Sequence, residues 1–129
     1  MKAKVLLIED NEANRYLASF LLESAGFEVT QASSGAAGIE VAQRCTPDLI
    51  LLDIQLPTMD GYAVARHLRT NPNLGRVPIV AVTSYAMVGD REKAMASGCD
   101  GYLEKPIDPV TFVADVGAFL GRGPAQEGA

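Results

Sequence analysis

The chain of 129 residues carries 16 acidic against 11 basic side chains, a formal net charge of −5, with a pI near 4.7. Nothing in it concentrates Lys and Arg as a nucleic-acid-binding face requires, which excludes a phosphate backbone as the main partner. Apolar residues at 48 % and charged residues at 21 % exclude a disordered or collagen-like polymer, and the length suits one domain burying roughly two thirds of its unfolded surface.

No charged-then-apolar segment opens the chain, and no apolar run approaches the ~20 residues that span a bilayer. The expectation is a soluble, cytoplasmic protein with no membrane insertion. Cys45 and Cys99 lack metal-ligand and disulfide spacing and read as reduced thiols.

In chain order, Lys4–Ile8 is an apolar run read as a strand. Asn11 is placed to cap a helix in which Ala13, Leu17, Phe20, Leu21 and Ser24 fall at helical spacing, with Gly26 as its stop. Phe27–Gln31 reads as the second strand, and Ser34 caps a helix running through Ile39 and Val41. Leu49–Leu52 is the third strand; Asp60 caps a helix carrying Val64, Ala65 and Leu68, limited by Pro72. Ile79–Val82 is the fourth strand, followed by a helix through Arg91, Ala94 and Met95 that ends at Gly98. Gly101–Leu103 is a weak fifth strand, and Asp108 with Pro109 resembles a cap and first-turn proline for a helix with Val113, Val116 and Leu120 as its stripe. The domain is expected over residues 1–121, with 122–129 a tail that has little to bury.

Strict β/α alternation, with near-continuous Val, Ile and Leu in three of the runs, predicts an α/β fold built on a doubly wound parallel sheet. In that architecture function lies at the carboxyl ends of the strands. Those ends carry Glu9 and Asp10, Asp53, Thr83 and Ser84, and Lys105 with Pro106. Three carboxylates meeting in one cleft repel one another unless a cation neutralises them, and a hard cation such as Mg²⁺ (or Mn²⁺), also bound by the Gln55 backbone carbonyl, meets that need. Asp53 stands among Leu49–Leu52 and Ile54, where an unpaired charge costs several kcal/mol, so a specific site explains it better than chance. A carboxylate there can act as a nucleophile, with Lys105 offsetting charge on a transferring phosphoryl group.

Ile8-Glu9-Asp10-Asn11, Leu51-Leu52-Asp53-Ile54-Gln55-Leu56-Pro57 through Met59-Asp60-Gly61, Val82-Thr83 and Lys105-Pro106 together resemble the response-regulator receiver family over residues 3–121. The segment from Thr83 to Asp90 is similar to stand-alone DivK-type receivers. The resemblance implies a five-stranded (βα)₅ sheet in the order 2-1-3-4-5. It also implies a signalling switch with at most self-catalysed phosphorylation and dephosphorylation. Asp53 takes a phosphoryl group from a sensor histidine kinase or histidine phosphotransfer protein, Glu9, Asp10 and Asp53 hold Mg²⁺, and Lys105 pairs with the phosphoryl group. Thr83 then binds a phosphoryl oxygen while Tyr102 turns inward, which alters a surface for a downstream protein target. A cis bond between Lys105 and Pro106 is also implied, as is a monomer or weak phosphorylation-dependent dimer.

An aspartyl-phosphate phosphatase is the rival enzyme, but such enzymes resemble one another in a second Asp two residues after the nucleophile, where this chain has Gln55. A flavin-binding module is disfavoured by the acidic Glu9 and Asp10 at the phosphate position, and a non-phosphorylated scaffold is expected to have lost one of the acidic, Thr or Lys positions. Met1 directly before the first strand points to a complete protein, with a receiver cut from a hybrid histidine kinase as the alternative. His67 reads as an ordinary surface residue among the solvated Arg66 and Arg69, while Tyr85, Met87 and Val88 read either as core filler or as a partner-binding patch.

Overall fold

Asn11, Ser34 and Asp60 each break into a helix in the same way, through a side-chain oxygen that accepts an amide of the first turn. Asn11 takes the Asn14 amide at 2.9 Å, Ser34 the Ala37 amide at 3.1 Å and Asp60 the Tyr62 amide at 3.2 Å. Each bond satisfies a donor that the helix start would otherwise leave unpaired. The three caps start α1 (Glu12–Ser24), α2 (Gly35–Arg44) and α3 (Gly61–Arg69). The computed structural model describes residues 2–57, 59–84 and 89–120; Tyr85, Met87, Val88 and the tail at 122–129 lie outside them.

Strands β1 (Lys4–Ile8), β2 (Glu28–Ala32), β3 (Leu49–Asp53), β4 (Ile79–Thr83) and β5 (Gly101–Glu104) form one parallel sheet in the order β2-β1-β3-β4-β5. Helices α4 (Asp90–Ala96) and α5 (Phe112–Leu120) complete the alternation. β3 and β4 are buried along their whole length, which accounts for their unbroken apolar sequence. Alternate residues divide the core in two. Leu6, Ile8, Ile50, Leu52, Ile79 and Ala81 pack with Val64, Leu68 and Ala94 on the α2–α4 side. Val5, Leu7, Leu49, Leu51, Val80 and Val82 pack with Ala18, Leu22, Phe112 and Val116 on the α1/α5 side. Among the described residues no helix is long and apolar enough to cross a membrane.

Four local expectations are corrected. β2 begins at Glu28 rather than Phe27, because the Phe27 amide returns to the Leu22 carbonyl at 3.0 Å and belongs to the turn that Gly26, at φ 97°, makes possible. α1 buries Ala18, Ser19 and Leu22, whereas Leu17 and Phe20, expected on its core stripe, are 36 % and 55 % exposed. α5 begins at Phe112 rather than Pro109. Asp108 first closes a turn, its carboxylate accepting the Val110 amide and its carbonyl the Thr111 and Phe112 amides, and the buried stripe is Phe112 and Val116, with Val113 to one side.

The fourth concerns Arg69, which is no loosely solvated neighbour of His67. Its Nε donates to the Gly98 carbonyl at 2.8 Å and its Nη1 to the carbonyls of Leu74 and Val77 at 2.7 and 2.8 Å, and Nη2 pairs with Asp100. Asp100 in turn accepts the Ile79 amide at 2.9 Å. One guanidinium thus ties the α3–β4 and α4–β5 connections together at the amino edge of β4 and β5, a task that needs its planar fork of donors. His67 is exposed.

Candidate functional site

Because all five strands are parallel, their carboxyl ends share one edge of the sheet. The register places Ile8 beside Leu52, and Asp53 beside Val82. Glu9 and Asp10 therefore emerge next to Asp53, and Lys105 follows β5 on the far side of Thr83. The Lys105 ammonium lies 2.9 Å from Glu9 Oε1 and 3.3 Å from Asp53 Oδ2, with all three side chains largely removed from water. Carboxylate oxygens of Glu9, Asp10 and Asp53 lie within 4.8 Å of one another. The Lys105–Pro106 peptide is cis.

Asp53 is only 3 % exposed. Burial raises its pKa above the ordinary carboxylate value; the Gln55 amide, donated to Oδ1 at 3.0 Å, works the other way, Glu9 adds to the rise, and Lys105 opposes it. Burial also works against the Lys105 ammonium, but the Glu9 hydrogen bond and the charges of Asp53 and Glu9 outweigh it and hold the lysine above its usual range. An acidic group kept partly short of charge compensation beside a firmly charged lysine is a setting that an additional cation would relieve. The donors present are hard carboxylate oxygens, and Asp10 is exposed, which leaves room for water on an ion held there. The residues fit Mg²⁺.

Thr83 is buried, and its carbonyl accepts the Lys105 amide at 2.8 Å. Tyr102 pairs with Ala81 across the sheet, so Tyr102 shares a face with Ala81 and Thr83 and packs half-buried on the α2–α4 side of the core. Gln55, half-buried after β3, accepts the Ser84 amide on its side-chain oxygen at 3.2 Å, which connects the Asp53 turn to the segment following β4. A cleft of ≈ 460 Å³ lined by Asn14, Leu17, Ser84, Lys105, Pro106 and Ile107 opens beside these residues.

Two contributors had no role assigned from the sequence, although Gly61 stands within the Met59-Asp60-Gly61 motif. Arg15 reaches back from α1 to the Glu9 carbonyl, and only the fold brings them together. At Gly61 any Cβ would meet the Ile54 Cα and stand 2.7 Å from the Asp53 carbonyl, so the start of α3 lies directly against the turn that carries Asp53.

Residues 5–116 match the response regulator receiver domain. The chain belongs to that family. It is 39 % identical over 121 residues to the polar-differentiation response regulator DivK of Brucella ovis, covering 94 % of this chain and 98 % of that protein. Among solved structures the receiver superposes on the Vibrio cholerae chemotaxis protein CheY4 with a TM-score of 0.89 at 28 % identity, over 92 % of this chain and 99 % of that one. It also superposes on the receiver domain of the Pseudomonas aeruginosa sensor histidine kinase PA1611, whose active-site cleft holds a coordinated magnesium ion. That match has a TM-score of 0.82 at 36 % identity, over 95 % and 98 % of the two chains. The receiver is thus a signalling switch of the response-regulator type.

Proposed function

We propose that this receiver accepts a phosphoryl group on Asp53, in a Mg²⁺-dependent step, from a sensor histidine kinase or histidine phosphotransfer protein. The observation that carries this reading is the convergence of Glu9, Asp10 and Asp53 within 4.8 Å, with the Lys105 ammonium bridging two of them. An Asp53 carboxylate oxygen attacks phosphorus as the bond from phosphorus to the donor nitrogen breaks, and the imidazole remains with the donor. Lys105 then turns its charge to the phosphoryl oxygens. Glu9, Asp10, Asp53 and the Gln55 carbonyl would hold the Mg²⁺, which supplies charge neutralisation for those oxygens when bound.

Access favours a protein donor. The cleft beside Lys105 is flanked by Leu17, and α1 continues that apolar surface with Tyr16 and Phe20, 70 % and 55 % exposed, their rings stacked at 6.3 Å. A patch of this kind on the rim of a reaction cleft suits a helical partner that brings its histidine to Asp53.

Output runs through β4 and β5. Thr83 donates to a phosphoryl oxygen and draws the segment after β4 toward Asp53, and Tyr102, on the same face of the sheet, follows inward. A tenfold shift between two conformations requires only about 1.4 kcal/mol, within reach of one or two charge-assisted hydrogen bonds. The altered surface recruits a downstream protein target, with residues 1–121 acting as one cytoplasmic domain and 122–129 as its tail.

The test is intact-mass analysis after incubation with acetyl phosphate and Mg²⁺. A single phosphoryl adduct, lost in Asp53→Asn and in chelator, is the expected result. A folded protein that forms no adduct under any condition overturns the reading.

A further inference from the structure

We infer that Arg15 is a positioning residue for the acidic pair, its guanidinium clamping the backbone that presents Glu9 and Asp10 to Asp53. The inference rests on the reading of those carboxylates as a Mg²⁺ site. Arg15 lies in the first turns of α1, and its Nη1 donates to the Glu9 carbonyl at 2.9 Å and, more weakly, to the Asp10 carbonyl at 3.4 Å. Its Nε donates to Gln31 Oε1 at 3.2 Å. Gln31 belongs to β2 and immediately precedes Ala32, whose carbonyl accepts the Glu9 amide at 3.0 Å. The guanidinium therefore joins three elements, α1, β2 and the connection after β1.

The connection has few other anchors. The Asn11 amide donates to Glu9 Oε2 at 3.2 Å, and the Asn11 side chain is committed to capping α1. Beyond Glu9, the Asp10–Asn11 peptide is held at its amide by Glu9 Oε2 and at its carbonyl by Arg15, which also holds the preceding Glu9 carbonyl. Without the guanidinium both carbonyls of the connection lose their side-chain donor, the peptides between Glu9 and Asn11 turn more freely, and a turned peptide swings the Asp10 carboxylate away from Asp53. Partners that orient ligands in this way commonly affect metal affinity by 10–100-fold.

A cation beside a cation site could instead act only through its charge, and the two roles give opposite signs. A charge acting alone repels Mg²⁺, so its removal tightens binding. A clamp orients the ligands, so its removal weakens binding.

Calorimetric titration of the full chain with Mg²⁺, for wild type, Arg15→Ala and Arg15→Lys, is paired with ¹⁵N backbone order parameters of Asp10 and Asn11 without metal. Arg15→Ala is expected to bind Mg²⁺ about tenfold more weakly and to lower both order parameters. Arg15→Lys should recover only part, because an ammonium lacks the fork that reaches Gln31 and Glu9 together. Equal or tighter Mg²⁺ binding with unchanged order parameters overturns the clamp. Should wild type itself bind no Mg²⁺, the metal reading fails, and the order parameters alone decide whether Arg15 holds the connection.

Discussion

The Lys105 ammonium lies 3.3 Å from Asp53 Oδ2, yet the Asp53 pKa stays above its ordinary value because burial outweighs the neighbouring charge. The fold therefore binds the Asp53 proton more tightly than the unfolded chain does. This contribution to stability is fully present below the unfolded value of 3.8 and is lost as pH rises through the raised folded value. Without metal, Asp53→Asn should be more stable than wild type at pH 7, with the gap closing toward pH 4. Urea denaturation across that range checks it; a gap independent of pH contradicts the assignment.

Removing the lysine has the opposite effect. Lys105→Ala leaves the buried Glu9 and Asp53 carboxylates without their shared cation, and losing one partner of a buried ionic cluster costs about 3 kcal/mol. The loss should shrink as pH falls toward 5, because Asp53, raised by burial, takes up a proton more readily than an ordinary carboxylate. Equal losses at pH 7 and pH 5 would point to packing of the lysine stem as the cause.

Gly61→Ala forces a methyl group to within 2.7 Å of the Asp53 carbonyl and against the Ile54 backbone, where no flexible side chain can yield. We expect a loss of about 2 kcal/mol, in the range of overpacked cores, together with slower adduct formation as the Asp53 turn shifts. Thermal unfolding and intact mass report the two effects separately.

Arg69→Ala removes the guanidinium donor from the carbonyls of Val77 and Gly98, takes one of two donors from the Leu74 carbonyl, which keeps the Val77 amide, and leaves Asp100 without its guanidinium. Stability should fall by about 2–3 kcal/mol, and Arg69→Lys should rescue little because one ammonium cannot serve four acceptors in a plane. Hydrogen exchange of the Ile79 and Asp100 amides, both paired at this edge, should rise in the same variants.

Cys45 is exposed and Cys99 buried. Burial pushes the Cys99 thiol up to about 11, so the reactive thiolate is scarce there at ordinary pH. Iodoacetamide at pH 8 should label Cys45 alone until the chain is unfolded. The same shift makes stability fall as pH rises from 9 toward 11, because the unfolded thiol ionises first. Label on Cys99 in the native protein at pH 8 would contradict both statements.

What the sequence determined by itself is local or combinatorial. Asn11, Ser34 and Asp60 cap helices with their own side chains, the Val-, Ile- and Leu-rich runs of β1, β3 and β4 suit covered strands, and Glu9, Asp10, Asp53, Thr83 and Lys105 fall at strand ends whatever their distances. The sheet order agrees with the family resemblance. Tertiary structure alone decided the phase of α1. In Leu17-Ala18-Ser19-Phe20-Leu21-Leu22 several sets of residues satisfy helical spacing, and contact with the sheet selects Ala18 and Leu22 and leaves Phe20 to solvent. It also decided the work of Arg15, Arg69 and Gly61. Their partners lie outside their own helices, and a guanidinium fork or a missing Cβ acquires meaning only once the fold brings those backbones within 3 Å of it.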